Sequence, residues 1–328
     1  MTSHDDSGVH GDAHGRPVGS VDETYVIERP GADGAPAAEL HVERVGNTAG
    51  RSVYYLHGGP GYNSYSFRDL MGDDLTAFDV IYADQRGGGR SYGDASASVS
   101  VLAHDVIAVL DALGVASVSL LAHGFGAAIA VRASALRPDL VDTVVLVNPW
   151  LSMPLLAATL NAAARTMAAG GDPTRLDADD GAVGDEPDPL DATPLDDPLR
   201  LVDEAFTLVN PKVLFDTLEF PTAASRLQLE HVDAVALSGD LSDETPVEVW
   251  SVDELPRLSD VEEAGVRLVV ISGAHDHTSY PVQAEQALLR SPSALFSLLE
   301  AGHYPWIDDP ESFTPVLLAA LGAGEEPS

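Results

Sequence analysis

The segment between residues 115 and 136 has the pattern of a strand, a sharp turn and a helix. An apolar run at 115–121 enters a turn of small residues, and an alanine-rich stretch at 127–136 leaves it. Strand-like apolar runs alternate with helical patterns elsewhere in the chain, at 53–56, 80–83, 118–121, 144–147, 268–271 and 295–299. Strands that are apolar on both faces and alternate with helices predict an α/β fold with a mostly parallel, doubly wound sheet and flanking helices.

Two further patterns extend this prediction towards the N-terminus. Residues 24–28 and 39–45 are strand-like and are joined by the turn-rich stretch 30–34, which predicts an antiparallel pair. Residues 100–113 predict a helix, because their apolar side chains recur on one face.

The turn within residues 119–128 has the layout of the motif G-x-S-x-G, in which a serine sits at the tip of a strained turn between strand and helix. In this chain the tip is Gly124. A glycine adopts a strained backbone easily, but it has no side chain that could attack a carbonyl carbon. The turn therefore predicts the position of a nucleophile and shows that its side chain is missing.

Four more segments rich in glycine, aspartate or histidine each follow a strand-like run. They are HGGPG at 57–61, DQRGGGRS at 84–91, GAHDH at 273–277 and AGHYPW at 301–306. Sites in open α/β sheets lie at the carboxyl ends of the strands, so the four segments and the turn at Gly124 predict one shared cleft.

In this order the motifs resemble those of the α/β-hydrolase fold, and HGGPG with DQRGxGxS resembles its proline iminopeptidase branch. The resemblance covers residues 22–149 and 255–322. Acyl transfer needs backbone N–H groups that stabilise an oxyanion, and a glycine-rich loop after a strand permits that close approach. Gly58 and Gly59 are candidate donors, and Phe125, the residue after the turn, would supply another N–H.

The chain order of turn, acid and histidine also matches that of α/β-hydrolase triads. Asp276 would fix the tautomer of His303, and His303 would act as general base and acid. Asp276 also lies between His275 and His277, which is the pattern of a metal cluster. Because no H-x-x-x-H spacing or cysteine pair supplies further ligands, we predict no metal and no cofactor.

Other polar residues of the motif loops receive structural interpretations. Asp84 and Arg86 are predicted to hold the shape of their loop through hydrogen bonds. Ser64, Ser66 and Ser91 could be considered as substitute nucleophiles, but nothing in the sequence places them on a strained turn.

The alternation of strands and helices stops between about residues 150 and 254. Helical patterns appear there at 155–169, 199–209, 212–218 and 223–235, with an acidic loop at 170–197. An insertion after a core strand is where α/β-hydrolases carry a helical cap. The resemblance implies that cap carboxylates receive the free N-terminal amine of the substrate, with Glu204, Glu219 and Glu230 as candidates. Each of them also fits a solvated acidic face, because acidic residues are common throughout this chain.

The predicted organisation is a core of 22–149 and 255–322, a cap of 150–254, a disordered tail of 1–21 and a short tail of 323–328. The chain has 17 basic and 52 acidic residues, a formal net charge of −35, and no cysteine. This balance disfavours binding to nucleic acid or to anionic membranes, and the acidic surface predicts a halophilic protein that stays dispersed in concentrated salt. The absence of cysteine and of a targeting segment suits a cytoplasmic protein.

Three functional hypotheses remain open. The first is a proline iminopeptidase-type hydrolase of amide or ester bonds, including the N-terminal residues of peptides, whose nucleophilic activity is lost or very low. The second is an inactive homologue that binds a ligand or regulates a partner. The third is chemistry by water activated at His303 and Asp276. In each case the predicted partner is a small molecule or a short peptide, and the sequence does not determine the oligomeric state.

Overall fold

A single sheet of eight strands forms the centre of this computed structural model, which describes residues 20–31, 37–94, 97–175, 197–236 and 247–323. The strands are β1 (Ser20–Arg29), β2 (Ala38–Asn47), β3 (Ser52–Leu56), β4 (Asp79–Ala83), β5 (Val118–His123), β6 (Val141–Val147), β7 (Arg267–Gly273) and β8 (Leu295–Leu299). Their order is β1-β2-β4-β3-β5-β6-β7-β8. β2 runs antiparallel to β1 and to β4, and all other neighbours are parallel. The predicted opening pair and mostly parallel sheet are confirmed.

Helices cover both faces of this sheet. Within the described residues they are α1 (Tyr65–Met71), α2 (Val99–Ala112), α3 (Gly126–Leu136), α4 (Met153–Ala168), α5 (Pro198–Leu208), α6 (Pro211–Glu219), α7 (Ala223–Ala236), α8 (Leu258–Glu263), α9 (Val282–Arg290), α10 (Pro305–Asp308) and α11 (Pro310–Ala320). None of them is long and apolar enough to span a membrane.

Two apolar clusters pack on opposite faces of the sheet because successive strand residues point to opposite sides. Tyr54 and Leu56 belong to the cluster that packs against α2 and α3, whereas Val53 and Tyr55 belong to the cluster formed with α1 and α11. The same alternation continues through β4, β5, β6 and β7. Both faces of the central strands are therefore buried, which explains their continuous apolar runs.

The helices α4, α5, α6 and α7 follow β6 and precede β7 in the chain. α5 and α6 begin in the same way. The N-cap side chain of each helix accepts a hydrogen bond from a backbone N–H of the first turn, and the next residue is proline. Asp197 precedes Pro198 in this way, and Asn210 precedes Pro211. These helices lie within the range predicted for the cap, whose exact limits stay a prediction; residues 176–196 of the predicted acidic loop lie outside the described residues.

Two sequence expectations need correction. The predicted tail at 1–21 is two residues too long, because β1 already begins at Ser20; the rest of that tail, and 324–328 of the other, lie outside the described residues. The apolar run at 295–299 predicts a strand that is covered on both faces, but Leu295 is 52% and Leu298 44% exposed. β8 is the edge strand of the sheet, so it has a neighbouring strand on one side only.

Candidate active site

Gly124 lies at the tip of a tight turn between β5 and α3. Its φ is +52°, in the left-handed region that favours glycine. The backbone of the turn is fixed on both sides, because the N–H of Gly124 donates to the carbonyl of Val147 at 3.1 Å and its carbonyl accepts the N–H of Trp150 at 2.9 Å. The turn thus holds residue 124 rigidly at the carboxyl end of a central strand.

His303 and Asp276 form a buried hydrogen-bonded pair. The imidazole Nδ1 of His303 donates to Oδ2 of Asp276 at 2.8 Å, and both side chains are almost inaccessible to solvent. A Cβ added to Gly124 would lie 3.3 Å from Nε2 of His303 and 3.6 Å from its Cε1. The nitrogen that would act as a base therefore faces the position where a side chain of residue 124 would begin.

Thr278 and Trp150 extend this pair into a chain of hydrogen bonds. The hydroxyl of Thr278 donates to Oδ1 of Asp276 at 2.5 Å, and the indole N–H of Trp150 donates to the Thr278 hydroxyl at 3.0 Å. The Trp150 ring also stacks on the imidazole of His303, with 5.0 Å between ring centroids. Both oxygens of the Asp276 carboxylate are therefore engaged, which fixes its orientation towards His303. No motif in the sequence indicated a role for Thr278 or Trp150.

The HGGPG segment follows β3 and approaches the turn closely. Gly58 lies next to residue 124, since its Cα would be 3.7 Å from a Cβ placed there. Gly59 has a φ of +122°, which only glycine adopts without strain. Phe125 directly follows Gly124 and is the N-cap residue of α3. Gly58 and Phe125 thus adjoin residue 124, and Gly59 lines the same cleft as Gly58; their role as oxyanion donors stays a prediction.

The HGGPG segment is held in place by the loop after β4. Nε2 of His57 accepts the backbone N–H of Gln85 at 2.9 Å, and the side-chain amide of Gln85 donates to the carbonyl of His57 at 2.7 Å. Asp84 accepts hydrogen bonds from the backbone and hydroxyl of Ser64 and from Arg90. Burial alone would raise the pKa of Asp84, but these bonds, chiefly those of Arg90, lower it to about 2. Asp84 therefore carries a permanent structural charge.

The remaining polar residues of these loops have structural partners. Arg86 forms two hydrogen bonds of 2.7 Å with Asp105 of α2. The hydroxyl of Ser91 donates to the carbonyl of Asp84 at 2.7 Å, and that of Ser66 contacts the hydroxyl of Tyr62 at 2.8 Å. These contacts agree with the structural interpretation of the motif loops.

His123, the residue before Gly124, packs inside the site. Its Nε2 donates to the carbonyl of His303 at 2.9 Å, and its ring lies 4.4 Å from that of His303. Burial, together with the proximity of His303, lowers the pKa of His123 well below its ordinary value. A neutral His123 therefore supports the loop that carries His303.

A cleft of about 270 Å³ opens above these residues. Its floor contains Gly58, Gly59, His123 and His303, and most of its wall is aromatic. The aromatic side chains are Tyr62, Trp150, Phe206, Phe215, Trp250 and Tyr304. Because Phe206 belongs to α5 and Phe215 to α6, the inserted helices complete the wall. A larger groove of about 720 Å³ near β1 and α1 contains none of the predicted site residues.

Of the three candidate cap carboxylates, only Glu219 lines the cleft. Burial raises the pKa of Glu219 to about 7, although the proximity of His303 opposes this shift. Glu204 is partly exposed and pairs with Arg165, and Glu230 is exposed and pairs with Lys212 and Arg226. The structure therefore does not place Glu204 or Glu230 in the cleft. Their helices turn these positions towards solvent, where basic partners are available.

The charges around His303 favour the protonated form of its imidazole. Burial would lower its pKa, but the negative charges of Asp276 and Glu219 and the hydrogen bond to Asp276 outweigh burial and raise the pKa above 6.5. In the described part of the chain no three histidine or acidic side chains are grouped closely enough to hold a metal ion. His275, for example, points outward and contacts Glu300 at 3.2 Å.

Residues 51–310 match the family model of the alpha/beta hydrolase fold. The proline iminopeptidase of Neisseria gonorrhoeae is 31% identical over 147 residues, which are 42% of this chain and 47% of that protein. The putative carbamate hydrolase RutD of Caulobacter vibrioides is 25% identical over 295 residues, which are 86% of this chain and 95% of that protein. The first curated relatives are matched over only 31%, 33% and 47% of their own lengths.

A solved structure extends the comparison over almost the whole chain. The proline iminopeptidase-related protein of Thermus thermophilus is 34% identical and superposes with a TM-score of 0.69, covering 91% of this chain and 98% of that one. The family match, this superposition and the order of the motifs around the cleft agree. The chain belongs to the α/β-hydrolase fold family, in its proline iminopeptidase-like branch.

Proposed function

We propose that this protein is a proline iminopeptidase-type homologue with the ligand cleft, oxyanion loop and histidine–aspartate pair of an amide or ester hydrolase, but with no side-chain nucleophile. One observation carries the proposal: a Cβ on Gly124 would lie 3.3 Å from Nε2 of His303. The base is thus positioned for a hydroxyl group that residue 124 does not have. Hydrolysis through a covalent acyl intermediate is therefore absent or very slow.

The ligand that best fits the cleft is a small amine or the N-terminus of a short peptide with an apolar side chain. Glu219 supplies a carboxylate inside a largely aromatic wall, and a carboxylate in such surroundings binds an ammonium group strongly. Aromatic faces such as those of Trp150 and Trp250 add a cation–π contribution and accommodate apolar groups. Glu219 thus takes the role that the family resemblance implied for a cap carboxylate.

We expect prolinamide to bind in the cleft and to quench tryptophan fluorescence, because Trp150 and Trp250 line it. The substitution Glu219→Gln should weaken binding about tenfold or more, since it removes a charge-assisted hydrogen bond. Binding should also weaken as the pH falls below about 7, because protonation of Glu219 neutralises the carboxylate. Fluorescence titrations of both proteins across this pH range would measure these effects.

The substitutions Glu204→Gln and Glu230→Gln are matched controls, because each removes a glutamate of the same helical insertion that pairs with a basic side chain and does not line the cleft. Both should leave the affinity for prolinamide unchanged. Amine recognition in the cleft would be contradicted if Glu219→Gln bound prolinamide as tightly as the unaltered protein does. It would also be contradicted if a control variant lost as much affinity as Glu219→Gln.

A second candidate function is hydrolysis by water, and the absence of a Cβ at residue 124 beside His303 favours it. A water molecule in the place of a serine hydroxyl would lie within hydrogen-bond reach of Nε2. Its oxygen would attack the ester carbonyl while His303 takes its proton, and the same proton would pass to the alcohol as the C–O bond breaks. Oxyanion stabilisation and binding alone retain roughly 10³- to 10⁴-fold catalysis over water in broken triads.

For this second candidate we expect slow turnover of p-nitrophenyl acetate without an initial burst. The rate should rise with pH through the raised pKa of His303 and then level off, because only neutral imidazole accepts a proton. The substitution His303→Ala should abolish it. Stopped-flow measurements would show whether a burst occurs, and a burst in the unaltered chain would mean that another residue is the nucleophile.

A further inference from the structure

Asn148 occupies an unusual position directly after β6. Its side chain is fully buried, and its φ is +45°, the one positive φ among the non-glycine residues that the structure describes. Asparagine tolerates this left-handed conformation better than most residues, but the conformation still costs energy. A strained, buried polar residue at the edge of a site calls for a specific interaction that stabilises it.

The amide of Asn148 connects the two loops that carry Asp276 and His303. Its Nδ2 donates to the carbonyls of Gly302 and His303, both at 2.9 Å. Its Oδ1 accepts the N–H of Gly273 at 2.8 Å. Gly273 is the last residue of β7, from which the chain continues to Asp276. One planar amide therefore bonds both to the start of the acid loop and to the backbone of the histidine.

We propose that Asn148 is a positioning residue that sets the geometry of the His303–Asp276 hydrogen bond; this inference rests on the proposed role of His303 as the base. The backbone of His303 has other anchors, since its carbonyl also accepts a hydrogen bond from Nε2 of His123 and its N–H donates to the carbonyl of Glu219. The two loops are also joined by a backbone hydrogen bond, from the N–H of His275 to the carbonyl of Ala301 at 2.9 Å. Asn148 adds a side-chain link that holds the carbonyl of His303 itself to the end of β7, from which the acid loop starts.

The substitution Asn148→Gly removes all three side-chain hydrogen bonds of residue 148. It should strain the backbone little, because glycine adopts a positive φ without strain. A matched control exists in α4. Asn161 is also buried, and its Nδ2 donates to the carbonyl of Leu201 at 2.9 Å, away from the acid and histidine loops. Asn161→Ala therefore removes a buried amide bond from the same protein without touching either loop.

The first measurement is an NMR titration of ¹⁵N-histidine-labelled protein, which needs no turnover. We expect the unaltered chain and Asn161→Ala to show a low-field Nδ1 proton for His303 and a pKa above 6.5. In Asn148→Gly the low-field signal should disappear and the pKa should fall, because a longer hydrogen bond weakens the effect of Asp276 while His303 stays buried. An unchanged signal and pKa in a folded Asn148→Gly protein would overturn the proposal.

The second measurement uses a Gly124→Ser background, in which the base can be assayed by ester turnover. Asn148→Gly should lower kcat by about 10- to 100-fold with little change in KM, since small displacements of catalytic groups have effects of this size. Asn161→Ala should leave kcat unchanged. Equal losses of kcat in Asn148→Gly and Asn161→Ala would show that Asn148 has only a general structural role, and the proposal would be overturned.

If Asn148→Gly does not fold, Asn148→Asp replaces it. One carboxylate oxygen of the aspartate can still accept the N–H of Gly273. The other oxygen replaces the NH₂ group and faces the carbonyl oxygens of Gly302 and His303, to which it cannot donate. The substitution therefore removes only the bonds to the histidine loop. Its own charge affects the pKa of His303, so the low-field proton is then the readout, and its persistence would overturn the proposal. An inactive Gly124→Ser protein would contradict the proposed function, while the NMR titration would still decide the role of Asn148.

Discussion

The substitution Gly124→Ser is expected to give this protein a reactive nucleophile. Nε2 of His303 already faces the position of the new Cβ, Asp276 holds the other ring nitrogen, and the Cα of Gly58 lies 3.7 Å away. The serine variant should react with a fluorophosphonate probe and should hydrolyse p-nitrophenyl acetate with an initial burst. We expect its rate to exceed that of the unaltered chain by about 100-fold or more, since the loss of a triad serine costs far more than this in related chemistry.

The gain should come with a modest loss of stability. A serine at a φ of +52° adopts the left-handed conformation, which costs roughly 1–2 kcal/mol. The new Cβ would also lie 3.3 Å from His303, a tight contact that requires the imidazole to shift slightly. Thermal melts would measure this cost, and the unfolding transition should stay cooperative.

Two controls separate a restored site from an incidental serine. In Gly114→Ser the new side chain has a similar positive φ of +68° but nothing within 4 Å, so this variant should show the strain without any labelling. In Gly124→Ser with His303→Ala, labelling and the burst should both be lost. Strong labelling of the unaltered chain would mean that the nucleophile lies elsewhere, and a folded but inert serine variant would favour a purely ligand-binding protein.

The sequence predicted the parts of the site that are fixed by the backbone. Gly58, Gly59 and Gly124 could be located because close approach or a positive φ requires glycine at those points. Asp276 and His303 could be located because each follows a strand, and parallel strands bring their carboxyl ends to one edge of the sheet. The hydrogen bond between them in the structure is the contact that the chain order predicted.

The sequence could not predict which side chains complete the cleft. Glu204, Glu219 and Glu230 are equivalent in a chain with 52 acidic residues, and only the packing of α5, α6 and α7 places one of them inside. Asn148 was missed for a related reason. An asparagine before a proline after a strand is an ordinary turn signal, and the three bonds of its amide depend on loops more than 120 residues away along the chain.

The net charge of −35 leads to a second large expected effect, on stability in salt. We expect the melting temperature to rise by about 10 °C or more between dilute buffer and molar KCl. In dilute buffer the surface carboxylates repel one another over about 10 Å or more, whereas at molar salt the screening length falls to about 3 Å. In a chain of this size 1 kcal/mol shifts the melting temperature by about 1.5 °C, so this rise corresponds to the relief of roughly 7 kcal/mol of repulsion.

Screening also weakens ion pairs, so the sign of the effect depends on which charges are exposed. The pair between Arg132 and Glu254 is bidentate and its carboxylate is buried, as is the pair between Arg86 and Asp105, and buried pairs are screened little. The exposed charge is mainly acidic, so the net effect of salt should stabilise the fold. Replacing exposed carboxylates with amides, for example in Glu263→Gln with Glu28→Gln, should raise the melting temperature in dilute buffer and reduce its dependence on KCl. A melting temperature that is flat or falls with KCl would show that repulsion between carboxylates does not limit stability, and the acidity would then need another explanation.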